Sequence, residues 1–94
     1  MDLSVDDNPT RQRFEVRLDG QVVGFAAYRL QDGVVAITHT EVEPALRGRG
    51  IGGVLVGGAL DRIRADGHRV LPVCSFVADY VRRNPEHADL VAAQ

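Results

Sequence analysis

The sequence predicts an α+β fold: a mixed, mostly antiparallel sheet, built as a three-stranded meander plus one parallel strand, with two main helices. Three observations lead there. Apolar residues alternate with polar ones in successive segments divided by Asp19-Gly20 and by Gln31-Asp32-Gly33, the pattern of strands joined by tight turns. After Pro44 the apolar spacing lengthens to the helical period. The apolar stretch RVLPVCSF then follows that helix. A strand, a helix and a strand in succession imply a parallel pair joined right-handedly.

The elements follow in order. Residues 1–10, MDLSVDDNPT, are acidic and polar and are expected to fray. RFEVRL (13–18) sets Phe14, Val16 and Leu18 against charged neighbours, as a half-buried strand does. QVVGFAAYRL (21–30) makes a second strand, and VVAITHTEV (34–42), β-branched almost throughout, a third. From Ile51 to about Arg64, Leu55, Ala59 and Ile63 share a helical face with Val56 and Leu60 beside them. Gly57 and Gly58 lie inside that helix at a cost of about 1 kcal/mol each, which tight packing on the sheet explains. Gly67 supplies the C′ residue. In the fourth strand, RVLPVCSF (69–76), Pro72 cannot donate to a ladder. Either pairing breaks there and opens a gap between the third and fourth strands, or Pro72 is an edge proline with no role. SFVADYVRR (75–83) reads as a helix stopped by Asn84-Pro85, and PEHADLV as a short last helix capped by Asn84.

Bulk properties narrow the function. The 94 residues make a single domain, 1–94, with one core. An apolar share of 45% excludes a disordered chain. A net charge of −2 gives no basic field for nucleic acid. All eleven basic residues are arginines, which rules out lysine chemistry. The single cysteine, Cys74, excludes an internal disulfide and a multi-cysteine zinc site and fits a reducing, cytoplasmic location. The first residues lack the basic and apolar regions of a signal peptide, and no apolar run approaches the roughly 20 residues of a membrane span. A soluble protein with no membrane partner is expected.

EVEPALRGRGIGG, from Glu41 to Gly53, stands where the third strand ends and the first helix begins. Gly48, Gly50, Gly52 and Gly53 let a backbone or ligand come close. The unpaired amides of a helix N-terminus attract phosphate, and Arg47 and Arg49 add positive charge. Gly48-x-Gly50-x-x-Gly53 also satisfies a dinucleotide fingerprint, but its context fails. Four residues separate the strand from the first glycine, and PVCSF stands where an acidic ribose ligand belongs. A P-loop is excluded by the lack of Gly-Lys-Ser/Thr.

Val42-x-Pro44-x-x-Arg47-Gly48-x-Gly50-Ile51-Gly52 resembles the acetyl-CoA-binding motif of GNAT-type N-acetyltransferases. The likeness runs from about Arg13 to Val91 and is greatest to a subgroup of very small GNAT-like proteins. It implies a minimal GNAT fold and acetyl-CoA (coenzyme A) as cofactor. The loop Arg47, Gly48, Arg49, Gly50, Ile51, Gly52 and Gly53 would bind the pyrophosphate by its amides, with Val42, Ser75 and Phe76 also at the cofactor. Arg82 or Arg83 either reaches the 3′-phosphate or belongs to a solvated face. Larger relatives carry two helices between their first and second strands and a C-terminal hairpin. Here Asp19-Gly20 replaces the helices, so acceptor recognition falls to an open surface or a partner chain, in a monomer or a homodimer.

The resemblance also implies acetyl transfer to an amine, directly within a ternary complex. The backbone N–H of Val42 is then the expected oxyanion donor. His39 and Glu41 lie two apart on one strand and so face one side. Either accepts the amine's proton, or both are simply solvated. Cys74 is a nucleophile, an acid towards the departing thiolate, or a packing residue. Tyr80 is a second candidate acid, or half of a packed pair with Phe76. The alternative function is a non-catalytic module that binds acyl-CoA.

Overall fold

The computed structural model describes residues 2–93. Five strands form one sheet in chain order: β1 (Leu3–Asn8), β2 (Arg13–Leu18), β3 (Gln21–Gln31), β4 (Val34–Val42) and β5 (Arg69–Pro72). β1 to β4 are an antiparallel meander, and β5 lies parallel to β4. The crossover is α1 (Ile51–Ala65); α2 (Ser75–Arg83) follows β5. The α+β class, the meander and the parallel pair are those the sequence predicts. No helix among the described residues is long and apolar enough to cross a membrane.

One face of the sheet carries the core. Phe14, Val16, Ala26, Tyr28, Val35, Ile37 and Val70 meet Ile51, Leu55, Val56, Ala59, Leu60 and Ile63 of α1, with Val77 and Val81 of α2 closing the end. Val56, Leu60 and Val77 are wholly buried, which contributes about 1.5–3 kcal/mol for each such side chain. Arg13, Glu15, Phe25, His39 and Glu41 belong to the alternate set of positions and face away from α1.

The N-terminus departs from expectation. Leu3–Asn8 does not fray: it pairs with β2 from Leu3↔Leu18 to Asn8↔Arg13. The turn between the first and second strands is therefore at 9–12, not Asp19-Gly20, which joins the second and third. Two contacts anchor β1. Tyr28 Oη donates to Asp7 Oδ1 at 2.7 Å, and Val5 lies so close to α1 that a Cβ on Gly58 would come within 2.7 Å of it. Gly58 thus serves the sheet, whereas Gly57 serves α2: a Cβ there would lie 2.7 Å from Tyr80 Oη.

The C-terminal half is shorter in strand and tighter in helix than predicted. β5 stops at Pro72, four residues before Phe76. The last segment is a 3-10 turn at Pro85–Leu90, and Asn84 does not cap it through its side chain. Instead Asn84 Nδ2 donates back to Tyr80 O at 2.8 Å and closes the end of α2.

Candidate functional site

The gap foreseen at Pro72 exists, and its geometry follows from hydrogen bonding. β4 and β5 pair as far as Ile37↔Pro72. Cys74 N–H donates to Ile37 O at 2.9 Å, a last stitch at the apex. β4 then runs on to Val42 with no strand partner on that edge among the described residues. A notch results, with the end of β4 on one side and Cys74 to Phe76 on the other.

A bulge decides which side chains line it. Ala27 faces His39 whereas Tyr28 faces Ile37, so Thr38 is an extra residue in β4. Parity shifts there. Thr40 and Val42 fall on the same face as Ile37 and line a 290 Å³ cleft with Leu46, Gly50, Ile51 and Phe76. His39 and Glu41 turn to the opposite, open face. Their Nε2 and Oε1 lie 3.2 Å apart, with side chains 57% and 58% exposed. The main chain alternates too. Glu43 N–H donates to Val23 O at 2.8 Å, on the β3 side. The N–H groups of Thr40 and Val42 consequently point the other way, into the notch.

The glycine loop closes the cleft's far end. Gly50 caps α1 in a left-handed conformation, φ 78° and ψ 8°. No side chain caps this helix and no acidic residue occupies its first turn. The N–H groups of Ile51, Gly52 and Gly53 are therefore the open donors of the helix start, and these three residues line the cleft with Arg47 and Gly48. The Phe76 ring leans on Gly52, where a Cβ would lie 2.9 Å from its Cζ. Gly52 thus admits the ring that forms the cleft's outer wall.

Cys74 is the half-buried residue before α2, and its Sγ lies 3.6 Å from Thr40 Oγ1. Burial pushes the thiol pKa up. Hydrogen bonds from the Thr40 hydroxyl and from the N–H groups of Val77, Phe76 and Thr40 outweigh it, and the pKa falls below its ordinary value. Thr40 is the neighbour that sequence reading missed, because only the bulge turns it toward Cys74.

The other expected residues scatter. Tyr80 lines a second hollow, of 480 Å³, with Gly53, Phe76, Asp79, Arg83 and Asn84. Its hydroxyl rests on Gly57, and burial, then the Glu86 and Asp61 carboxylates, raises its pKa. Arg82 is ion-paired to Asp79, which leaves Arg83 as the arginine of that hollow. Ser75 and Arg49 are exposed and do not line the cleft. The structure therefore brings together Val42, Arg47, Gly48, Gly50 to Gly53 and Phe76 around the cleft. It sets His39 and Glu41 across the sheet from them and Tyr80 in the hollow beyond Phe76.

The model of the GCN5-related N-acetyltransferase family matches residues 13–90. The chain belongs to that family. This GCN5-related chain is also 34% identical over 86 residues to protein NATD1 of Gallus gallus and of Mus musculus, covering 88% of its own length and 77% of theirs. Protein NATD1 of Homo sapiens gives the same identity, with 75% of that relative covered. Among solved structures, an NMR structure of a GCN5-like protein from Staphylococcus aureus superposes with a TM-score of 0.72 at 19% identity, over 98% of this chain and 90% of the other. At that identity the likeness speaks to the fold.

Proposed function

We propose that this chain moves an acetyl group from acetyl-CoA to an amine by direct attack within a ternary complex. The observation that carries the reading is the notch itself: unpaired β4 amides on one side lead to three uncapped helix amides at its end. The lining of the cleft suits the cofactor's chemistry. Converging N–H donors and Arg47 suit a pyrophosphate, and the strand edge suits an amide-bearing arm.

When bound, acetyl-CoA supplies a thioester: the amine nitrogen bonds to its carbonyl carbon, the C–S bond breaks, and the electron pair leaves on sulfur. The residues of the chain handle charge and protons. Val42 N–H donates to the carbonyl oxygen as charge gathers there. The amine enters the notch from the open face of the sheet, and there His39, oriented by Glu41, takes the proton it loses. Cys74 gives its thiol proton to the departing sulfur and regains one from solvent. Tyr80 is the weaker candidate for that step because it belongs to the hollow beyond Phe76. Arg83 is the better placed arginine for the 3′-phosphate, since Arg82 is already paired.

A second reading, a non-catalytic acyl-CoA-binding module, is favoured by the high exposure of His39 and Glu41 on a face open to solvent. Release of coenzyme A thiol across a panel of amines separates the two. Acetyl-CoA at a hundredfold excess over Kd should stabilise the chain by about 2.7 kcal/mol under either reading. Under the enzyme reading, His39→Ala and Cys74→Ala lose turnover and keep affinity. Thiol release at background with every amine would leave only the module.

A further inference from the structure

Thr40 and Cys74 face each other across the notch, and their contact closes it. Thr40 Oγ1 lies 3.6 Å from Cys74 Sγ. Behind that contact the two sides are stitched together by Cys74 N–H to Ile37 O at 2.9 Å, and Ile37 is wholly buried. The cleft accordingly takes its walls from Thr40, Val42 and Phe76, and from neither Ile37 nor Cys74. Open space ends at the Thr40 side chain. That side chain belongs to the cleft because the extra residue at Thr38 turns it there.

Chemistry orders an acyl-CoA within this space. Its phosphates match the helix amides and Arg47 at the loop end, so its acyl group is the part that points to the closed end. The main chain offers little choice there. Glu43 N–H is engaged by Val23 O, and Cys74 Sγ takes up both the hydroxyl and the N–H of Thr40. Val42 N–H is then the last open strand amide before the stop. With a thioester carbonyl on that amide, whatever the acyl chain adds next meets the Thr40 side chain. An extra methylene against a packed wall costs about tenfold in affinity. In an open-ended cleft the same methylene would gain about fourfold by burial. The two geometries differ in sign.

We propose that Thr40 is the stop that selects the donor: it admits an acetyl group and turns away longer acyl chains. The proposal deepens the acetyl-transfer reading, resting on its cofactor half and not on the acceptor. Calorimetric titration of the full chain with coenzyme A, acetyl-CoA, propionyl-CoA and butyryl-CoA tests it with no amine present. Acetyl-CoA should bind about as tightly as coenzyme A, propionyl-CoA about tenfold more weakly, and butyryl-CoA more weakly still. Thr40→Ala removes the stop and should bring propionyl-CoA level with acetyl-CoA. Thr40→Val keeps the branched shape without the hydroxyl and should keep the discrimination, the mark of a steric wall. Affinity for coenzyme A itself should hold in both variants. A second measurement needs no variant. Saturating acetyl-CoA should slow alkylation of Cys74 by iodoacetamide, and adenosine 3′,5′-bisphosphate, which lacks the acyl-bearing arm, should not. Propionyl-CoA bound by the wild type as tightly as acetyl-CoA, discrimination that survives Thr40→Ala, or an unshielded Cys74 overturns the stop and leaves the cofactor reading standing. If coenzyme A and its thioesters all fail to bind, the cofactor reading falls and the stop falls with it.

Discussion

Replacing Gly50 by alanine tests whether the turn before α1 is shaped for its main-chain amides. Gly50 has φ 78°, a left-handed conformation that costs an L-residue about 1–2 kcal/mol. A Cβ there meets nothing within 4 Å, so the penalty is purely torsional. The chain has two responses. If the turn keeps its shape, stability falls by that amount, and Tm by about 4–8 °C per kcal/mol in a domain of this size, while acetyl-CoA affinity holds. If Gly50→Ala relaxes to negative φ, the N–H groups of Ile51, Gly52 and Gly53 swing off their common target. A hydrogen bond to a charged group is worth about 1.5–3 kcal/mol, so losing one weakens acetyl-CoA binding about tenfold or more. Asparagine visits the left-handed region more readily, and Gly50→Asn should recover most of either loss. Scanning calorimetry and acetyl-CoA titration on both variants read the two responses separately. A Gly50→Ala chain equal to wild type in Tm and in affinity would refute the reasoning.

Two further predictions concern packing and the thiol. Gly58→Ala gains about 1 kcal/mol of helix propensity, yet it drives a Cβ to 2.7 Å from Val5 Cβ, overpacking that costs about 1–3 kcal/mol. Urea unfolding should show a net loss that Val5→Ala in the same chain partly restores; strictly additive losses would mean that β1 does not dock there. Cys74 is held below its ordinary pKa of 9.0 by bonds from Thr40 and from main-chain N–H groups that outweigh its burial. Because the folded pKa is the lower one, this contribution to stability is present above pH 9.0 and is lost as pH falls through the folded value. Alkylation of Cys74 by iodoacetamide should therefore reach half its maximal rate below pH 9.0. Thr40→Val should move that midpoint upward, and an unmoved midpoint would remove Thr40 from the account.

Local pattern and tertiary context divided the remaining decisions between them. The place of the gap at Pro72 was legible but its cause was not. Arg69 N–H bonds to Gly33 O beside β4, whereas Val70 O accepts from Ala92 on the other edge, so by alternation Pro72 lacks its donor on the outer edge of β5 and not towards β4. The N-terminal strand was not legible. Leu3 and Val5 are the only large apolar residues between positions 2 and 8, and what orders them, Tyr28 and Gly58, lies far along the chain. Tyr80 shows the same limit: its one-turn spacing from Phe76 fits a site or a packed pair, and the fit of its hydroxyl over Gly57 sets its direction. Asn84 bonds backward to Tyr80 O, because its side chain reaches the end of the preceding helix.

By itself the sequence determined the order of strands and helices from Arg13 onward and the bare turn at Arg47–Gly53. Each of these depends on short-range chemistry: period, turn residues and glycines. Only the tertiary structure decided which of two neighbouring pairs, Thr40 with Val42 or His39 with Glu41, looks into the cleft. One extra residue at Thr38 reverses that assignment. Whether a residue is extra depends on the strand paired opposite it, which no stretch of β4 read alone contains.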